Sequence, residues 1–313
     1  MRKGPVTASS RRATRLMART RSVSRLTSVV LASIAVMNVF VASGVDAQSA
    51  ASRSATRSAS RSDRARIFAA NVVVGGGVAV LGRLISGRSI RKGLLPGATG
   101  GALVFAGKEI TSREGSLAAW SGREVAAVGS SMISAAAKGN PVGSDITLPL
   151  GPLRIRVDAR REMRIRPKVD IGSLVVAGWV ASKDGNTLDL GESVSHGAII
   201  MTRRWGNQTS ASTRGGVILM DDIPRDLPRT GRYHVRSGVI AHEMIHVEQY
   251  DFVLKTLGEP LDRMFARWLG LGETTTKYFD LGSAVLVIGL SNGLIPHRAR
   301  PWEREAHSLA PGT

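Results

Sequence analysis

Residues 238–254 read Gly-Val-Ile-Ala-His-Glu-Met-Ile-His-Val-Glu-Gln-Tyr-Asp-Phe-Val-Leu. Within them stands His242-Glu243-x-x-His246. Two histidines four apart lie on one face of an α-helix, one turn from each other. Both imidazoles then reach one metal ion, and zinc takes such nitrogens at about 2.0–2.1 Å. Glu243 follows the first ligand directly, where a carboxylate can take a proton from water and pass it to a leaving amine. A catalytic zinc needs a third protein ligand and an open fourth position. Val239, Ile240, Met244, Ile245, Val247, Phe252 and Leu254 supply apolar positions at helical spacing. Ser237 and Gly238 read as N-terminal punctuation of the helix. A buried structural helix with two satisfied histidines is the plain alternative.

The motif resembles the zinc metallopeptidases of the gluzincin type. His242 to Gln249, written His-Glu-x-x-His-Val-x-Gln, is similar to a bacterial peptidase-like subgroup. The resemblance covers roughly residues 215–310. It implies a glutamate on a later helix as third ligand, and the chain offers Pro301-Trp-Glu-Arg-Glu-Ala-His-Ser-Leu309. It also implies a sheet edge ahead of the metal helix along which peptide lies, a role that falls by position on residues 215–220. His307 stands where the family carries an aspartate that orients a ligand. It is expected to take over that role by hydrogen bonding, or to add positive charge at low pH. No histidine follows at metzincin spacing.

Glu303 and Glu305 compete for the third position. Side chains two apart on a helix point about 200° apart, so only one can face the metal. With Pro301 in the first turn, Trp302, Ala306 and Leu309 mark the buried side. That register selects Glu303 and turns Glu305 toward solvent. His234, His297 and Tyr250 are further donors for a developing oxyanion.

The net charge of the 313-residue chain is +19, unevenly placed. Residues 1–66 hold 13 Arg/Lys and two Asp, hence +11. The basicity therefore belongs mostly to a tail and no nucleic-acid surface is expected. Residues 1–47 read as a signal peptide: an Arg/Ser-rich start, the apolar run from Val29 to Ala42, and Val45-Asp-Ala47 as cleavage site. An uncleaved anchor is the rival, and the run falls short of the ~20 residues a span needs. Residues 48–66 read as a disordered basic linker. Export to the periplasm or cell envelope follows. The absence of cysteine excludes disulfide staples, thiolate-bound zinc and a thiol nucleophile.

Residues 67–140 are rich in Gly and Ala and read as helices. Gly93, Gly97 and Gly101 recur every fourth residue and give one face a groove for close packing. Residues 67–107 form either a membrane-associated hairpin or a tightly packed helix pair. From residue 141 the pattern changes to period two. Ile146 to Leu150, 153–157, 163–166, Leu174 to Val180, Ser195 to Thr202 and 215–220 read as strands. The apolar stretch 281–295 is read as folding back against the core, since one crossing would separate His242 and His246 from Glu303.

The sequence thus predicts an α+β fold with three parts: an N-terminal Gly-rich helical hairpin, a central mostly antiparallel sheet, and a C-terminal helical part carrying the metal helix. Residues 141–313 form the zinc metallopeptidase-like domain. The expected function is peptide-bond hydrolysis of a peptide or protein substrate. Zinc is bound by His242, His246 and Glu303, and Glu243 is the catalytic base. The rival classes are a non-catalytic envelope scaffold with structural or absent metal, and a hydrolase of a non-peptide amide.

Overall fold

The computed structural model describes residues 61–159, 163–183, 185–203, 211–221, 229–284, 287 and 301–310. The signal-peptide reading, most of the linker and most of 281–295 lie outside them, as do His297 and the side chain of His234.

The fold is α+β. Helix α1 (Arg61–Ile85) and helix α2 (Arg91–Thr111) form the expected hairpin, and α3 (Ser116–Lys138) packs on it. Helix α1 begins six residues inside the stretch read as linker. Asp63 in its first turn favours the helix there, since its negative charge suits the N-terminal end.

The three glycines spaced by four all face α1. A Cβ on Gly93 would stand 2.5 Å from Cδ of Arg83, and one on Gly97 2.5 Å from Cβ of Ala79. One on Gly101 would run into the Asn71 carbonyl oxygen. A second glycine seam joins α2 to α3: a Cβ on Gly129 would lie 2.5 Å from the Gly100 carbonyl oxygen, and one on Gly107 2.5 Å from that of Gly122. Backbone packs on backbone at both seams, where close contact maximises dispersion attraction. By length and composition α1 could also cross a bilayer.

The strands form two sheets where one was expected. The first joins β1 (Asp145–Leu150), β2 (Leu153–Asp158), β3 (Arg164–Asp170) and the short β8 (Phe279–Asp280) in that order. The second has the order β4-β5-β7-β6, from Asn186–Leu188, Ile199–Arg203, Val217–Asp221 and Ala211–Arg214. Pairing is mostly antiparallel; β3 with β8 and β5 with β7 are parallel.

Leu174 to Val180 is not a strand. It belongs to α4 (Ile171–Ala181), which opens on Asp170, whose carboxylate accepts from the Ser173 amide at 3.0 Å. A short apolar run does not distinguish strand from helix by period, and here the cap decides. Likewise 195–202 divides. Helix α5 (Leu190–His196) ends at left-handed Gly197, φ 68°, and β5 follows.

The helix that carries the motif is longer than the motif suggests. Helix α6 runs Arg229–Trp268, through Ser237, Gly238 and Pro260. Ser237 is therefore no cap; its hydroxyl donates to Glu114 at 2.5 Å. Val239, Ile240, Met244 and Val247 of α6 pack on Ile200, Ile218 and Met220 of the second sheet. Val176 and Val180 of α4 cover its other face, against Ile199, Met201 and Val217. Helix α8 (Pro301–Leu309) lies between α6 and the hairpin, its Ala306 and Leu309 against Ala241, Ile245, Ile67 and Phe105. Helix α7 (Glu273–Tyr278) leads into β8.

Gly101→Val is expected to lower stability by about 1–3 kcal/mol, because the branched side chain has nowhere to go. Gly77→Ala is the control: a Cβ there meets nothing within 4 Å, and helix propensity favours alanine. Urea unfolding of both variants measures the contrast.

Candidate metal centre

Helix α6 presents His242 and His246 one turn apart, with ring centroids 5.1 Å from each other. Glu303, in the first turn of α8, closes the triangle. Its Oε2 lies 3.1 Å from Nε2 of His246 and 3.9 Å from Nε2 of His242. The three ligand atoms all fall within 4.8 Å of one another. Donors on a tetrahedron about 2.0–2.1 Å from zinc stand roughly 3.4 Å apart, so the set has the span such an ion requires. His242 and Glu303 are buried.

The imidazole of His246 is oriented from behind. Its Nδ1 lies 2.8 Å from Oε1 of Gln249. The Gln249 amide nitrogen donates to Oε2 of Glu305 at 2.7 Å and to the Trp302 carbonyl at 3.2 Å. Gln249 Oε1 must therefore accept, so Nδ1 carries the proton and Nε2 is left as the ligand atom. Burial opposes a charge on His246, yet the Glu303 hydrogen bond, the Glu243 and Glu303 charges and Gln249 outweigh it and raise its pKa.

Glu305 does not face solvent. It does point away from the metal cluster, as the helix register requires, but α8 is buried on both sides. Lys108 of α2 reaches both its oxygens at 2.8 Å, and Asn71 of α1 donates to Oε1 at 2.7 Å. Burial raises the Glu305 pKa, and the Lys108 charge with the hydrogen bonds from Asn71, Lys108 and Gln249 overrides that and holds it low. The chain Lys108–Glu305–Gln249–His246 thus links the N-terminal hairpin to a candidate metal ligand.

His307 packs against His242 with ring centroids 4.6 Å apart and ring planes tilted by 50°. Nδ1 of His242 is buried and hydrogen-bonds to nothing among the described residues. His307 thus meets one of the three candidate ligands by ring contact. Trp302 is only half-buried.

Glu243 is buried beside the ligands, and Oε2 accepts from the Thr213 hydroxyl at 2.6 Å. Thr213 lies on β6. The edge assigned to 215–220 is corrected by this arrangement, because β7 is paired on both sides and β6 is the edge strand next to Glu243. Gly215 and Gly216 turn the chain between Arg214 and Val217, with Gly215 at φ 61°. A Gly-Gly pair between two short strands is the hairpin signal that would have placed β6 outside β7. Tyr250 is turned elsewhere, its hydroxyl 3.3 Å from Asp170.

Comparison with protein-family models, curated proteins and solved structures returns no match to this chain.

Glu303→Ala is expected to abolish tight zinc binding. Glu305→Ala and Lys108→Met should each weaken it roughly 10–100-fold, the range found when a ligand's supporting partner is lost. Competition with a chromophoric chelator gives the three affinities; wild-type binding by both Glu305→Ala and Lys108→Met would dismiss the orienting role.

Proposed function

We propose that the protein is an exported zinc-dependent peptidase of the gluzincin type. One observation supports this above the others: a His/His/Glu set at metal spacing, with a buried carboxylate beside it and a sheet edge beside that carboxylate.

His242, His246 and Glu303 would hold the ion, which when bound supplies Lewis-acid charge at the reacting carbonyl and acidifies water. Glu243 takes the proton from the attacking water as its oxygen bonds to the carbonyl carbon. It then delivers that proton to the departing nitrogen as the C–N bond breaks. The Thr213 hydroxyl holds Oε2 in place, so the other oxygen is the one that serves the water. Strand β6 pairs only with β7 among the described residues, so its outer edge can hydrogen-bond an extended peptide whatever its sequence. Burial of the ligand set strengthens the electrostatic contacts within it.

The setting we propose is the cell envelope. At the hairpin tip Leu84, Leu94 and Leu95 are exposed beside Arg88, Arg91 and Lys92. Apolar side chains flanked by cations suit an anionic membrane surface.

Glu243→Gln is expected to retain zinc and lose about 10²–10⁴-fold in rate. Hydrolysis of unfolded casein, measured with metal content on the same preparation, provides the check. A variant that cleaves at the wild-type rate would remove Glu243 from the role.

A further inference from the structure

A cavity of about 280 Å³ opens on the far side of β6 from Glu243. Its apolar lining includes Val176, Val180, Val217 and Leu219, and its polar wall carries Lys183, Arg203 and Arg214 around Trp179. At about 30 Å³ per water the space holds roughly nine water molecules, enough for an amino-acid side chain. The Lys183 ammonium stands 5.4 Å and the Arg214 guanidinium 5.2 Å from the centroid of the Trp179 ring. Both cations are thus gathered by one indole.

Among the described residues the charges are not balanced locally. Arg203 is engaged, its Nε donating to Asp221 at 2.6 Å. Among the described residues, Lys183 and Arg214 pair with no carboxylate, and none lines the cavity.

Strand periodicity connects this cavity to the metal centre. Thr213 lies opposite Ile218 and shares its face, toward α6 and Glu243. Ser212 and Arg214 lie opposite Leu219 and Val217 and share the other face, toward the cavity. A peptide added to the outer edge of β6 alternates in the same phase. The residue alongside Thr213 faces the base. Its neighbours on either side face the cavity.

We propose that this cavity is a specificity pocket for an acidic side chain, Asp or Glu, one residue removed from the position alongside Thr213. The proposal rests on the reading that peptide lies on β6. The lysine and the arginine fork supply charge-assisted hydrogen bonds to a carboxylate, and the valines and Leu219 take its methylenes. A nucleic-acid strand fits less well. Binding one takes a track of cations with successive aromatic platforms, whereas this site concentrates two cations on one ring.

The test uses the full chain carrying Glu243→Gln, loaded with zinc, and fluorescein-labelled peptides that differ only in Glu, Gln or Lys at that position. Fluorescence anisotropy should show the Glu peptide binding roughly tenfold tighter than the Gln peptide, as expected for a charged hydrogen bond. Lys183→Ala with Arg214→Ala should erase the difference. Arg214→Glu should turn the preference toward the Lys peptide. Equal binding of Glu and Gln peptides overturns the proposal, as does a preference that survives in the double variant. A single-stranded oligonucleotide that binds tighter than the Glu peptide, and weakens in the double variant, reassigns the patch to nucleic acid. Hydrolysis of the same peptides by the wild-type chain separates the two readings. Cleavage without Glu preference in binding overturns the pocket and leaves the peptidase. Glu preference in binding without cleavage overturns the peptidase and leaves the pocket. Neither binding nor cleavage overturns both.

Discussion

A single buried carboxylate, Glu305, joins three distant parts of the chain. It takes the ammonium of Lys108 from α2, the amide of Asn71 from α1 and the amide of Gln249 from α6. Lys108 is 2% exposed, so neither charge is relieved by solvent. Removing one member of such a pair leaves an uncompensated charge inside, at a cost of about 3–5 kcal/mol. The ion pair therefore fixes where α8 can sit between α6 and the hairpin. That position in turn sets Glu303, two residues earlier, against the two histidines. The glycine seams serve the same end. Only backbones as close as those of α1, α2 and α3 bring Asn71 and Lys108 to one oxygen pair.

The second sheet provides the other half of the arrangement. Its inner face packs on α6 and so shares a core with the metal helix. Its edge strand β6 carries Thr213 to Glu243, and the alternation of that strand sends Arg214 to the opposite side. One four-residue strand thus carries a hydroxyl to Glu243 on one face and a guanidinium on the other. The proposed peptide would read both at once.

Much of this was legible in the residues. His242-Glu243-x-x-His246 brings two imidazoles and a carboxylate together by helical geometry alone. The register of α8 selected Glu303, and the four-residue glycine spacing announced the hairpin. What was not legible depends on contacts between distant segments. Glu305 reads as a solvent-facing carboxylate until Lys108, 197 residues away, is brought to it. Thr213 has no motif; its role exists only because the Gly215–Gly216 turn folds β6 outside β7. The run 174–180 was read as a strand because its apolar content is continuous, and the deciding cap is one aspartate at its start. For Glu305 the local pattern was sound and a distant neighbour overrode it, whereas for 174–180 the cap beside the run decided.

Helix α6 spans about 60 Å at 1.5 Å per residue. Its N-terminal half shares its core with the second sheet. Asp251 in its middle accepts from Arg154 of the first sheet and from Arg123 of α3, each at 2.8 Å. Beyond Pro260, Asp262 is held by Lys168 of β3. Among the described residues no strand of one sheet pairs with a strand of the other, so both sheets are mounted on this one rod. Unwinding it anywhere along that length loosens both mountings together. The two small sheets thereby share one support.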